Sequence, residues 1–486
     1  MTEEIRNKYQ AVIGLEVHAQ MLTKSKAYSS DVNEFGAVPN TNISAITLGH
    51  PGTLPKVNKR TIEFAIRMGI ACESDITEFQ SFDRKNYFYP DLPKGYQITQ
   101  DRTPICENGR VYIKDDNDNE KIIKITRIHM EEDAGKSIHD VDIHDTLVDL
   151  NRAGIPLIEI VSEPDMRSSQ EAYNYLTEIR KLVRYLEICD GNMEESSLRC
   201  DANISVMLKG SKEYGRRVEV KNMNSIRNVQ KAIEFEIQRH IELIEKGEII
   251  VQETRSFDAL KGTTISMRSK EAANDYRFFP EPDLLPLKVN QEQINAIKTE
   301  MPALPRDLFL KYTKELGLSE YDAYNITDTK EIALFYEELV NHTSNYKSAA
   351  NWLMGDIKSH LNQNGLEMKD FPIAAKTIAE LIEIVDSGKI SSTVASQKIF
   401  PALLKNSTQS PIELAESMNL IQDSNEDSIL SYVNDVIENN PDEVERFKNG
   451  EKQLTGFFMG QLMRISKGKA DPKTANQLMR STLDKL

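Results

Sequence analysis

Residues 155–161 read IPLIEIV. At the two-residue period of a strand, Ile155, Leu157, Glu159 and Val161 share one face while Ile158 and Ile160 share the other, so a carboxylate stands inside an otherwise apolar element. An ionised Glu in that position costs several kcal/mol unless it meets a counter-charge or a metal. The stretch belongs to a longer segment that opens at Asp149 with DLNRAGIPLIEIVSEPD, passes through a helix and closes on EESSLRCDANISV.

Three other stretches repeat the arrangement. In VIGLEVHAQM, Val12, Gly14, Glu16, His18 and Gln20 fall on one face and Ile13, Leu15, Val17, Ala19 and Met21 on the other. CDANISV offers Asp201, Asn203 and Ser205 to one side, and RVEVKN offers Arg217, Glu219 and Lys221. Joined in one sheet, these strands would pack an apolar face on helices and line a polar concavity with Glu16, His18, Glu159, Asp201 and Glu219. Clustered acids repel one another, and a hard divalent cation relieves them. Magnesium suits the set better than zinc, because the donors are mostly oxygens and no thiolate accompanies them.

The 486-residue chain exceeds one ordinary core, so two to four domains are expected. With 39% hydrophobic and 28% charged residues and no apolar run near the roughly 20 residues a membrane helix needs, the composition is that of a soluble globular protein without a signal peptide. Cys72, Cys106, Cys189 and Cys200 lack paired spacing, which suggests free thiols and a cytoplasmic location. A net charge of −16 argues against wholesale wrapping of nucleic acid. The last 36 residues differ, with seven Lys or Arg against three Asp or Glu; Lys467, Lys469 and Lys473 crowd the turn between two predicted helices, a pattern suited to phosphate contact.

After the first strand, LGHPGTLPKVNKRTIEFAIRMGIA reads as a Pro/Gly turn and then a helix with apolar positions at Ile62, Ala65, Ile66 and Gly69 or Ile70. The segment FDRKNYFYPDLPKGYQITQ, broken by Pro and Gly, reads equally as a binding loop carrying Asp83, Arg84, Lys85, Tyr87, Tyr89, Asp91 and Lys94 or as a solvated loop with buried Tyr anchors. A strand then runs into Glu131, Glu132 and Asp133, a triple acid that is a metal candidate. The following GKS imitates a phosphate-binding loop, but the glycine required five residues before Gly135 is Met130, so no such loop is expected. Ser168 and Glu171 predict a capped helix with Ala172, Leu176, Ile179, Val183 and Leu186 inward, and a second helix over 226–246 ends at Gly247. Arg255, Arg268 and Arg277 stand among acids near the close of this region. Beyond Val289 the pattern is helical, and Asp471 and Pro472 predict the N-cap and first position of the last helix.

Seven motifs in order, VIGLEVHAQM, FDRKNYFYPDLPKGYQI, HMEEDAGKS, DLNRAGIPLIEIVSEPD, EESSLRCDANIS, NMNSIRNVQKAIEFE and DYRFFPEPDL, together with the tail GKADPKTANQLM, resemble the B-subunit (GatB) family of glutamine-dependent aspartyl/glutamyl-tRNA(Asn/Gln) amidotransferases. The resemblance covers essentially the whole chain. It implies an α+β fold: a sheet-based cradle catalytic domain with flanking helices over 1–290, an all-α helical domain over 291–405 and a small helical tRNA-binding tail domain over 406–486. It implies an ATP-dependent carbon–nitrogen ligase with glutamine as amido donor, working with an amidase-fold glutaminase A subunit, a small C subunit and misacylated tRNA, and no membrane. Such enzymes phosphorylate the side-chain carboxylate of Glu-tRNA(Gln) or Asp-tRNA(Asn) with ATP and let ammonia displace the phosphate, chemistry served by positioning and a metal. By motif, Glu16, His18, Glu132 and Glu159 correspond to the Mg2+ and kinase-site residues. Lys94, Arg199, Asp201 and Glu219 match the family's ammonia path and site wall, so the catalytic set is Glu132, Glu159, Asp201, Lys94, Arg199 and Glu219. Many relatives hold zinc with cysteines near the start, where this chain has Ser29, Asp31, Ser44 and Thr47; no zinc is expected. The competing reading is a non-catalytic tRNA-binding scaffold whose acids are structural.

Overall fold

The structure is a computed structural model that describes every residue except Met1, Asp140, residues 270–275, residues 423–425, Lys467 and Leu486. The chain forms two compact units, residues 1–304 and 305–486. The first holds a nine-stranded sheet in the order Thr263–Ser269, Glu253–Asp258, Val218–Lys221, Leu198–Leu208, Tyr9–Gln20, Pro156–Ser162, Glu120–Glu132, Cys106–Lys114 and Asp75–Ile76. All junctions are antiparallel except that between Val218–Lys221 and Glu253–Asp258. The four strands read from sequence as acid-bearing are therefore consecutive in the sheet.

The alternation holds throughout. Ile13, Leu15, Val17, Ile158, Ile160, Cys200, Ala202, Ile204, Val218 and Val220 are buried in one core with the inward residues of three helices, Lys59–Ala71, Ser169–Tyr185 and Ile226–Glu245. Each such Ile or Leu contributes about 1.5–3 kcal/mol by leaving water. Ser168 caps its helix by accepting from the Glu171 amide at 3.1 Å. The Glu171 carboxylate, however, accepts from the Arg167 amide at 2.6 Å and from Lys121, so it reaches one residue before the cap. The first unit continues past Val289 because Ile294, Ile297, Met301 and Leu304 pack against the same core.

The aromatic segment expected to be a loop is in fact a hairpin. Asp83–Asn86 and Tyr96–Thr99 pair with each other, and Arg277–Pro280 joins them in a three-stranded sheet that leaves only residues 87–95 as a turn. Side-chain ladder contacts, not turn propensity, decide these strands. Gly135 of the GKS tripeptide has no phosphate-loop surroundings. A Cβ there would come within 2.8 Å of the Asp91 carbonyl oxygen and 2.9 Å of Leu150, so glycine is required for close backbone approach.

The second unit is helical. Its C-terminal part has its own core, in which Ile429, Val433, Val436 and Phe447 pack with Phe458, Leu462, Ala475 and Met479. The basic last 36 residues are thus half of a small bundle that begins before them. Asp471 caps the last helix, Pro472–Leu483, by accepting from the Thr474 amide at 2.8 Å. Lys467 lies outside the described residues, as does the side chain of Arg268.

Glu236 ties the Ile226–Glu245 helix to the edge of the sheet. Fully buried, it accepts from Arg239 at 2.7 and 3.0 Å and from the Thr264 hydroxyl, and lies 3.3 Å from Arg255 and 3.2 Å from His240. Burial works to raise its pKa, but His240, Arg239 and Thr264 outweigh it and hold the carboxyl at about 2. A depressed carboxyl contributes stability above its ordinary value of 4.5 and loses it as the pH falls toward 2. Glu236→Gln is therefore expected to cost about 3 kcal/mol at pH 7. Thermal melts against pH check this: the gap between wild type and variant should shrink below pH 4.5, and a constant gap contradicts it.

Candidate metal and phosphoryl-transfer site

Strand register builds the site. The central Tyr9–Gln20 strand places Glu16 opposite Asp201 and His18 opposite Arg199 on one side; on the other, His18 faces Glu159. Glu159 in turn faces His129, Leu157 faces Glu131, and Asn203 faces Glu219. Residues directly opposite in an antiparallel pair project to the same face, so the sheet's polar face collects all of them. They form two groups, His18 with Glu131 and Glu159, and Glu16 with Asp201 and Glu219, and within each group the possible ligand atoms lie within 4.8 Å of one another.

The first group is the more deeply buried. Glu159 Oε2 lies 3.3 Å from His18 Nε2 and 3.3 Å from His129 Nε2, while Glu131 Oε1 lies 3.3 Å from Lys85 Nζ. Burial alone would neutralise Glu159, but the two imidazoles hold its carboxyl well below the usual range. Burial likewise opposes charge on His129, yet Glu159 and Glu131 push its pKa up to about 9. Glu131 is held down, against burial, by Lys85 and then His129. Glu131 Oε2 is buried without a hydrogen-bond partner. That oxygen lies 3.7 Å from His129 Nε2; a carboxylate oxygen free of hydrogen bonds beside a second carboxylate and an imidazole is a donor set suited to a hard divalent cation, and the residues present fit one.

In the second group a lysine bridges two of the three acids. Lys221 Nζ donates to Asp201 and lies 3.1 Å from Glu219 Oε1, and these acids raise its pKa against the effect of burial. Thr254 donates to Glu219 Oε2 at 2.8 Å, and Asn203 to Glu16 Oε1 at 2.8 Å. Burial and the charges of Glu159 and Asp201 raise the Glu16 carboxyl. Glu16 thus lies between the two groups and feels both.

Not every residue singled out from sequence joins them. Glu132 is turned by the strand's alternation away from Glu131: it pairs with Lys94 and accepts from the Ile98 amide at 2.9 Å. Arg199 donates to Asp133 Oδ1 at 3.0 Å, and Asp133 is held below the usual range, despite burial, by Arg199 and Arg152. Asp91 serves structure by accepting from Ser137 at 3.0 Å. The triple acid is therefore divided three ways. His129 was missed by the sequence reading, although the same two-residue alternation in TRIHMEE places it with Glu131. The four positions of the cysteine clip close their loop by hydrogen bonds: Ser44 N donates to Asp31 Oδ2 at 2.9 Å, Thr47 donates to the same oxygen, and Asp31 N donates to Ser29 at 3.3 Å.

Known proteins share this chain over nearly its whole length. A family model described as the GatB/GatE catalytic domain matches residues 11–295, and one described as the GatB domain matches residues 334–483. The chain is 48% identical over 472 residues to the B subunit of the aspartyl/glutamyl-tRNA(Asn/Gln) amidotransferase of Thermodesulfovibrio yellowstonii, covering 97% of this chain and 98% of the relative. Against the corresponding protein of Wolbachia pipientis wMel it is 48% identical over 484 residues, covering 99% and 100%. Against that of Clostridium botulinum it is 46% identical over 478 residues, covering 98% and 100%.

The geometry separates neighbouring glutamates. Glu131→Gln and Glu159→Gln should each weaken Mn2+ binding by about tenfold or more, the scale on which a carboxylate ligand or its immediate support acts. Glu132→Gln should leave it within about twofold. Electron paramagnetic resonance titration of Mn2+ reads this directly, and a larger effect at Glu132 than at Glu131 would contradict the assignment.

Proposed function

Because the chain belongs to the GatB family, matched over residues 11–295 and 334–483, we propose that it activates and amidates the side-chain carboxylate of misacylated tRNA as the B subunit of a tRNA-dependent amidotransferase. The substrates are Glu-tRNA(Gln), Asp-tRNA(Asn) or both, the activating reagent is ATP, and the ammonia comes from a glutaminase A subunit in a complex completed by a small C subunit. The observation that supports this most is the convergence of His18, Glu131 and Glu159 beside Glu16, Asp201 and Glu219 on one sheet face.

A carboxylate resists attack by ammonia because its carbonyl carbon carries a poor leaving group. In the activating step one carboxylate oxygen attacks the γ-phosphorus and ADP departs; ammonia then attacks the acyl carbon, phosphate leaves with the C–O bond pair, and nitrogen loses a proton. His18, Glu131 and Glu159 would hold the Mg2+ that offsets phosphate charge when bound. Arg199, fixed by Asp133, brings positive charge beside His18. Lys85, against Glu131, adds a second cation on the wall. Lys221 keeps Asp201 and Glu219 together. Lys94 and Glu132, paired and largely shielded from water, form a polar element suited to passing ammonia toward this face.

The C-terminal segment 406–486 is assigned to tRNA binding, its basic helices Thr455–Ile465 and Pro472–Leu483 supplying phosphate contacts, with Lys469 contributing from the turn between them and Lys473 from the start of the second. We place the protein in the cytoplasm: all four cysteines are free and buried, and among the described residues no helix is long and apolar enough to cross a membrane.

The chain shows no nucleophile and base of recognisable spacing for glutamine hydrolysis, so alone it should release no ammonia from glutamine. With its partner subunits and an inactivated glutaminase, it should still amidate misacylated tRNA from free ammonia when ATP and Mg2+ are supplied. Amide formation without ATP, or none with every component present, would overturn this reading.

A further inference from the structure

The three-stranded sheet that carries Lys85 also carries a row of rings that neither the core nor the cation site uses. Tyr87, anchored through its hydroxyl to Gln97, meets Tyr276 edge-on at 5.4 Å and Tyr89 at 5.8 Å; Tyr276 meets Phe278 at 6.5 Å. The outer rings are open to solvent, Tyr89 being 57%, Tyr276 50% and Phe278 42% exposed. Contiguous exposed aromatics cost solvation free energy and mark an interaction surface.

Two features say what it takes. Phe278 is paired with Lys85 in the sheet, and Lys85 Nζ lies 5.0 Å from the Tyr276 ring and 3.3 Å from Glu131. Lys85 therefore links the rings to the His18, Glu131 and Glu159 group. Aromatic faces beside cations bind unpaired nucleobases, whose π-faces stack on the rings while the cation meets phosphate. A nucleoside triphosphate has one base and would occupy one ring, whereas a row of successive rings matches a run of unpaired nucleotides.

Resting on the function proposed above, we propose that Tyr89, Tyr276 and Phe278, with Tyr87 between the first two and Lys85 beside Tyr276, are a stacking platform for the unpaired nucleotides at the aminoacylated 3′ end of the tRNA. The terminal ribose bears the amino acid whose carboxylate must reach Glu159 and His18, and Lys85, against both the Tyr276 ring and Glu131, ties the platform to that site.

The test uses the complete complex, with Tyr276→Ala, Tyr276→Phe and Phe278→Ala. Loss of one stacked ring should raise the KM for aminoacyl-tRNA by about tenfold, leaving the KM for ATP and the partner's glutaminase rate unchanged, and Tyr276→Phe should stay near wild type. A tRNA transcript lacking its unpaired 3′ nucleotides should compete equally poorly against wild type and Tyr276→Ala. An unchanged KM for tRNA in both alanine variants overturns the proposal. So does a rise in the KM for ATP alone, which would assign the rings to adenine of the nucleotide, or loss of another subunit on purification, which would make them a protein interface. If the wild-type complex forms no amide, the functional reading fails instead.

Discussion

Glu159 is a carboxylate in the middle of a sheet, and keeping it charged sets the terms for everything around it. It is 8% exposed, too buried to rely on water, and two imidazoles from the strands on either side hold it ionised. That requires His18 on one neighbouring strand and His129 on the other, both in register, and a one-residue slip of either strand would turn its histidine to the opposite face. The apolar side prevents such a slip, because Ile13, Leu15, Val17, Ile158 and Ile160 are locked under three helices. Core and site are thus the two faces of one alternation.

The same arrangement crowds carboxylates together, and lysines and imidazoles meet most of their oxygens. Lys221 serves Asp201 and Glu219, Lys85 serves one oxygen of Glu131, and the other Glu131 oxygen is left without a hydrogen bond. A buried acceptor in that condition favours an incoming cation, and Glu16, its carboxyl raised by Glu159 and Asp201, couples the two groups. Under the proposed function, phosphate charge would arrive and depart beside these groups.

Much of this was legible in the amino-acid sequence because strand alternation is a local rule. Glu16, His18, Glu159, Asp201 and Glu219 could be assigned to one face from their own strands, and the helix caps at Ser168 and Asp471 from their own turns. Pairing is not local, and there the reading fell short. Nothing in HMEED alone tells which glutamate shares a sheet face with Glu159, since that depends on Leu157 lying opposite Glu131 and Pro156 opposite Glu132. His129 acquires its role only from a neighbour thirty positions away. The aromatic segment reads as a loop because Pro and Gly punctuate it, but its first end, Asp83–Asn86, pairs with Arg277–Pro280, almost two hundred residues later, as well as with its second end, Tyr96–Thr99. The core beneath the basic tail likewise includes Ile429 and Val433, ahead of the stretch whose charge drew notice.

The central claim is that this face activates a carboxylate by phosphorylating it. The direct measurement is to supply the complete complex with glutamyl-tRNA whose side-chain carboxylate carries 18O, together with ATP, Mg2+ and ammonia, and to examine the released phosphate by mass spectrometry. Activation through an acyl phosphate predicts one 18O atom in the phosphate for each amide formed. Phosphate free of the label while amide accumulates would contradict it.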